Sequence, residues 1–169
     1  LTLSFGGETL RTLRTDMPTR HMQVPFTVLS DVGLRRMHLW SPGSPNLYDL
    51  TVRVLHGDSV LDEVKTYFGM RKVEVANGEV LLNNHAIYQR LVLDQGYWPD
   101  TLLTPPTDDA IKADVEWTLK LGFNGARKHQ KVEDPRYYYW ADKLGLLVWS
   151  EVPSPYDFTR ETVRNFADT

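Results

Sequence analysis

The chain has 169 residues, 41% hydrophobic and 24% charged, with a formal net charge of −3. This suits a soluble globular protein of one average domain or two small ones, and it argues against a nucleic-acid-binding surface. Cysteine is absent, which excludes disulfides and thiolate chemistry, and no apolar run approaches the ~20 residues of a membrane helix.

Residues 1 to about 75 have strand character. LTLSF, MQVPFTVL, LYDLTVRVL and DEVKTYFGMRKVEV are rich in Val, Leu, Thr, Tyr and Phe with partial alternation. Gly6-Gly7, Asp31 to Gly33, Ser41 to Asn46 and Gly57-Asp58 separate them as turns. Short strands between Gly/Pro turns favour an antiparallel sandwich. Pro42 and Pro45 cannot donate to a ladder and mark a loop that enters a strand. Asn77-Gly78 is a type I′ hairpin signal between VEVA and EVLL, and Asn83-Asn84 suits a second tight turn.

From about residue 86 the pattern alternates between strand and helix. AIYQRLVL is extended and apolar. Thr107 is placed to cap a helix over DDAIKADVEWTLKLG, with Asp108 and Asp109 in its first turn, where the helix dipole favours negative charge. Ile111, Val115 and Leu119 form its buried ridge, and Gly122 suits a left-handed position past its end. FNGAR is a short strand. Asp134 caps a second helix with Pro135 at its first position; Tyr137, Ala141 and Leu144 are its buried stripe, and Gly145 ends it. LLVW reads as a strand covered on both faces. Thr159 caps a third helix, with Phe158 and Val163 as a hydrophobic staple.

This βαβαβα order lacks Gly-x-Gly-x-x-Gly and Gly-Lys-Ser/Thr, so neither a dinucleotide nor a P-loop nucleotide is expected as cofactor. Three such units are part of a barrel or of an open sheet. His21, His38, His56 and His85 are scattered without metal spacing. No metal or other cofactor is expected.

Each of the three strands ends in polar groups. The first gives Asp94 and Gln95, followed by Tyr97 and Trp98; the second gives Arg127, Lys128, His129 and Gln130; the third gives Ser150 and Glu151. In parallel α/β architectures ligands bind at that edge. Strand alternation sends Lys128 to the side away from Arg127 and His129, toward a helix or solvent. Arg127 is positioned to pair with Glu151 across strands, and its fixed charge would lower the pKa of a neighbouring carboxylate. Trp98 is a candidate stacking surface for a sugar. The helical aromatics Tyr137 to Trp140 read as packing.

The successive segments LWSPGSPNLYDLTVRV, YFGMRKVEV, NGEVLLNNHAIYQR, DDAIKADVEWTLKLGFNGARKHQ and YYYWADKLGLLVWSEVP resemble glycoside hydrolase family 2, which includes β-galactosidases, β-glucuronidases and β-mannosidases. The resemblance implies an immunoglobulin-like β-sandwich over residues 1–75, incomplete at its N-terminus. It implies the first three βα units of a TIM (β/α)8 barrel over 76–169, entered by a hairpin at 73–85. It implies that Arg127 supports the catalytic carboxylates, that His129 contacts substrate and that Glu151 lines the pocket. With Asp94 and Trp98, these are the candidate substrate-binding residues.

His129 stands two residues after the arginine where many members have three, and Asp94-Gln95 stands where others have histidine. The family's acid/base glutamate follows the fourth barrel strand in an Asn-Glu pair and its nucleophile follows the seventh; this sequence has no Asn-Glu dipeptide. No catalytic glutamate is therefore expected here, and the chain reads as an internal piece of a longer retaining β-glycosidase, β-galactosidase-like. The expected partners are a carbohydrate substrate, the remainder of the parent chain and a second copy pairing at an open barrel edge, with no nucleic acid and no membrane. The residues leave localisation open. A non-catalytic carbohydrate- or protein-binding sandwich with a scaffold α/β segment, and an α/β enzyme acting on an anionic substrate, are the competing readings.

Overall fold

A computed structural model describes residues 1–19, 21–25 and 37–167. The chain divides into two compact units, Leu1–His85 and Ala86–Thr169. The 73–85 hairpin, grouped with the second half on sequence, thus falls in the first unit. Among the described residues no helix is long and apolar enough to cross a membrane.

The first unit is built on strands β1 (Thr2–Phe5), β2 (Glu8–Thr12), β3 (Trp40–Ser41), β4 (Ser44–Pro45), β5 (Tyr48–His56), β6 (Ser59–Phe68), β7 (Val73–Ala76) and β8 (Glu79–Leu82). A four-stranded sheet runs β2-β1-β5-β6, and its pairings are antiparallel. This β-rich unit is consistent with a β-sandwich domain. Leu3 and Tyr48 are its buried centre, with Phe5, Leu10, Phe68 and Met70 packed around them. Tyr48 stacks on Phe68 at 5.4 Å between ring centroids, and its hydroxyl accepts the His38 N–H at 2.8 Å, so its one polar atom is satisfied.

One strand went unread and one expectation needs correction. ETLRT forms β2, although its polar composition hid it; its strand character comes from pairing with β1. Met22–Pro25 of the expected strand MQVPFTVL is irregular, and the rest of that segment lies outside the described residues.

The two Asn turns follow from backbone chemistry. Asn77 and Gly78 both have positive φ, 53° and 80°, as a type I′ turn between β7 and β8 requires. Asn83 and Asn84 do the same at 54° and 66° and lead into the short strand β9 (His85–Ala86), which joins β7 and β8 in a second sheet. Asn83 also holds its surroundings: its amide donates to Trp40 O at 3.0 Å and its Oδ1 accepts from Lys72 N at 3.0 Å.

The second unit alternates β10 (Leu91–Asp94), α1 (Asp108–Lys120), β11 (Gly125–Lys128), α2 (Pro135–Leu144), β12 (Leu147–Ser150) and α3 (Arg160–Ala167). The strands form a parallel sheet in the order β10-β11-β12. Thr107 caps α1 by accepting from Ala110 N at 3.1 Å. Asp134 caps α2, which ends at Gly145 with φ 86°, a conformation glycine adopts without steric cost. Thr159 Oγ1 accepts from Thr162 N at 3.2 Å at the start of α3. The proposed Phe158–Val163 staple is not a buried pair, since both residues are exposed.

The helices meet the sheet through Ile111, Val115, Tyr137, Ala141, Ala126 and Leu146, with Val92, Leu119, Trp140, Leu144 and Val148 around them. Ile111 and Val115 are fully buried, a burial of roughly 1.5–3 kcal/mol each. The opposite face is different. Leu93, Arg127 and Trp149 stand side by side on it in register, and Leu93 and Trp149 are more than half exposed. The expectation that LLVW is covered on both faces thus holds for one face only among the described residues. Leu91, Gly125 and Leu147 also align across the sheet. A Cβ on Gly125 would collide with the Leu91 side chain and come within 2.9 Å of Leu147 O.

Candidate functional site

Strand alternation divides the polar groups at the carboxyl edge into two sets. Arg127, and past the strand ends Gln95, His129 and Glu151, belong to the uncovered face. Asp94 and Lys128 belong to the helix-covered face.

On the uncovered face Arg127 Nε donates to Glu151 Oε1. The other carboxylate oxygen, Oε2, accepts the Gln130 N–H at 3.0 Å. Gln130 supplies that N–H from a left-handed backbone, φ 53°, an uncommon conformation for a residue other than glycine. The Arg127 hydrogen bond, then the Gln130 N–H, hold the Glu151 carboxyl below its ordinary range, with the His129 side chain adding a weaker attraction. Gln95 Nε2 lies 3.2 Å from His129 Nδ1, and the His129 N–H donates to Asp94 O at 2.9 Å. Arg127, His129 and Glu151 therefore gather at one rim with Gln95 and Gln130. Arg127 and Glu151 are partly exposed, with side-chain exposures of 48% and 27%, so their charges remain open to solvent.

Asp94 does not join this group through its side chain. One of its oxygens accepts the Gly96 N–H at 2.7 Å and the other receives Lys128 Nζ. Trp98 sits in a small turn, paired with Leu102 through Trp98 N to Leu102 O at 2.6 Å and the return bond at 3.1 Å. Its indole N–H is buried without a partner.

Lys128 turns to the helix-covered side, as strand alternation leads one to expect, but sequence reasoning missed the groups it meets there. Lys128, 1% exposed, reaches Glu133 Oε2 at 3.0 Å as well as Asp94. Its ammonium lies 3.8 Å from the Tyr137 ring centroid, a cation–π geometry. Lys131 reaches Glu133 Oε1 at 2.9 Å. Burial pushes the Glu133 carboxyl up, but the Asp134 N–H, Lys131 and Lys128 together outweigh it and leave it below its ordinary value. Asp114 shows the reverse: burial first, then the Asp94 and Glu133 charges, push it up. An open depression of about 290 Å³ lies against Asp94, Gly96, Asp114 and Thr118. Asp114 was legible in principle, because it falls on the same face of α1 as Ile111 and Val115. No group of three or more His, Asp or Glu residues among those described could hold a metal.

Residues 7–71 match the description "Glycosyl hydrolases family 2". Among curated proteins, the chain is 30% identical over 156 residues to the β-galactosidase large subunit of Leuconostoc lactis, covering 89% of this chain and 24% of that protein. A putative β-glucuronidase of Formosa agariphila is 32% identical over 120 residues, covering 68% and 11%. The matches support glycoside hydrolase family 2. A solved β-glucuronidase from Ruminococcus gnavus superposes with a TM-score of 0.65 at 25% identity, covering 70% of this chain and 20% of that one. β-Glucuronidase 3 of Bacteroides uniformis shares the fold, with a TM-score of 0.69 at 24% identity over 78% of this chain and 17% of its own. The chain spans between about a tenth and a quarter of the length of the curated relatives it matches.

Proposed function

We propose that the chain is an internal segment of a retaining β-glycosidase of family 2, acting on β-galactosides. In this reading residues 1–75 are the latter part of an immunoglobulin-like sandwich, and 76–169 begin a (β/α)8 barrel whose strands 1 to 3 are β10, β11 and β12. The face that carries Leu93, Arg127 and Trp149 is then the barrel interior. The parent enzyme works by double displacement, with two carboxyl groups about 5–5.5 Å apart around the scissile bond. Those two glutamates come from outside this chain.

One observation carries the reading: a solvent-accessible arginine and carboxylate pair, with an imidazole beside it, at the carboxyl edge of a parallel sheet. Arg127 supplies fixed positive charge near the reacting centre. Glu151 aims the guanidinium, and in turn is fixed by Gln130 N–H. His129, oriented by Gln95, presents its remaining ring nitrogen to a sugar hydroxyl. Trp98 and the turn around it border the sugar subsite, and Asp94 supports the rim from below. The Ruminococcus gnavus and Formosa agariphila relatives make β-glucuronides the comparison substrate.

The test is turnover of nitrophenyl β-galactoside and β-glucuronide by the parent protein with and without Arg127→Ala. The expected loss in kcat/KM is about 100-fold, the scale of removing one preorganised electrostatic group, with the β-galactoside the better substrate. The isolated chain should turn over neither. Full activity of the Arg127→Ala enzyme, or turnover by the pure chain, overturns the reading. A binding-module function would instead place ligand-induced NMR shifts in the first unit, at the open groove lined by Arg14, His21, Val52 and Arg53.

A further inference from the structure

Arg127 and His129 face one way, and Lys128 between them faces the other. Beneath the sheet Lys128 is the centre of a closed ionic lattice. Its ammonium meets Asp94 from the end of β10 and Glu133 from the loop after β11. Glu133 passes the link to Lys131 at 2.9 Å. Lys131 returns it to the β10 loop by donating to Gly96 O at 3.1 Å and Leu103 O at 2.8 Å. Gly96 closes the ring through its N–H to Asp94. Two strand exits are thus fastened to each other by four charged groups, of which Lys128 and Glu133 are buried and Asp94 and Lys131 partly so.

Buried ion pairs contribute little net stability against an apolar replacement, because desolvation offsets the attraction. Their best-attested return is a fixed register. The lattice members sit one residue away from the rim members along the chain: Asp94 beside Gln95, and Lys128 beside both Arg127 and His129. A shift of either strand exit under the sheet therefore moves the rim above it. Gly96 shows how closely the lattice is fitted. Its φ is +68°, and a Cβ there would lie 2.6 Å from both Glu133 Oε2 and Lys131 Nζ.

We infer that Lys128 is a positioning residue, which sets the Gln95–His129 pairing and the aim of Arg127 by clamping Asp94 to Glu133 beneath the sheet. The clamp is a statement about geometry; its consequence for a sugar rests on the glycosidase reading above.

The test is NMR on the 169-residue protein and its Lys128→Met and Glu133→Gln variants, read well below their melting temperatures. The probes are the Gln95 side-chain amide, the His129 Nδ1 shift and hydrogen exchange at the His129 N–H. In folded Lys128→Met the Gln95 amide and His129 Nδ1 should move to free side-chain positions, and exchange at His129 N–H should accelerate at least tenfold. Glu133→Gln, which leaves Lys128 with Asp94 alone, should show the same change at reduced size. A purely structural lysine would lower the melting temperature and leave the Gln95 and His129 signals in place in the folded variant; that outcome overturns the inference. So does failure of both variants to fold, since the lattice then holds the fold rather than the rim. None of the three readouts involves sugar, so these results stand apart from the turnover test.

Discussion

Arg127 and Lys128 are adjacent cations on one strand, and each pairs with a carboxylate. The pairs differ in almost every physical respect. Arg127 meets Glu151 at a solvent-accessible rim on the uncovered face. Lys128 meets Asp94 and Glu133 under two helices, with its side chain almost wholly excluded from water. An exposed pair gains little because solvent screens it. A buried pair is costly to break, because the surviving charges keep their desolvation penalty. The open cation is therefore within reach of solvent and of any ligand at the rim, and the buried one is enclosed among the carboxylates it pairs with.

The sharpest way to break this contrast is to remove each cation in turn and measure stability by urea unfolding. Lys128→Met should cost about 3–5 kcal/mol, as expected when a buried ionic group loses its partner. A loss below about 1 kcal/mol would mean that the lattice relaxes freely. Gly125→Ala tests the floor between the two faces and should cost about 1–3 kcal/mol by overpacking against Leu91 and the Leu147 carbonyl. Arg127→Ala should change stability by no more than about 1 kcal/mol while it lowers kcat/KM of the parent protein about 100-fold. That split between stability and activity is the signature that separates the rim from the lattice.

The pH dependence sharpens the comparison further. Glu151 and Glu133 are held below their ordinary values. Their stabilising contributions are present above the unfolded carboxylate pKa and are lost as pH falls through the lower folded value. Asp114 is displaced upward by burial and by its acidic neighbours. The folded state favours its protonated form, so its contribution declines as pH rises from the unfolded value through the folded one. Asp114→Asn should therefore raise stability at pH 7 and leave it nearly unchanged at pH 3. Equal effects at both pH values would show that Asp114 feels neither burial nor Asp94. This is the smallest of the expected changes and needs thermal unfolding across the full pH range.

Much of the second unit was legible from local rules. Thr107, Asp134 and Gly145 mark helix ends because orphan backbone groups need those residues. The rim was legible because polar side chains after three short apolar strands have one shared edge to occupy. The Arg127–Glu151 pair followed from strand order. Asp94 was the instructive case: sequence placed it at the right edge, but its side chain serves the opposite face. Lys131 and Glu133 carried no signal, because nothing local says that a loop lysine and a glutamate two residues on will meet a buried ammonium.

Sequence alone determined the elements of the second unit, their order and the edge where polar groups collect, since these depend on residues within a turn or two of one another. Tertiary structure alone decided which of two neighbouring cations is buried, which carboxylates oppose them and which turn accepts Lys131. Those outcomes depend on which face the helices cover, and the electrostatic worth of a charge is set by the water left around it.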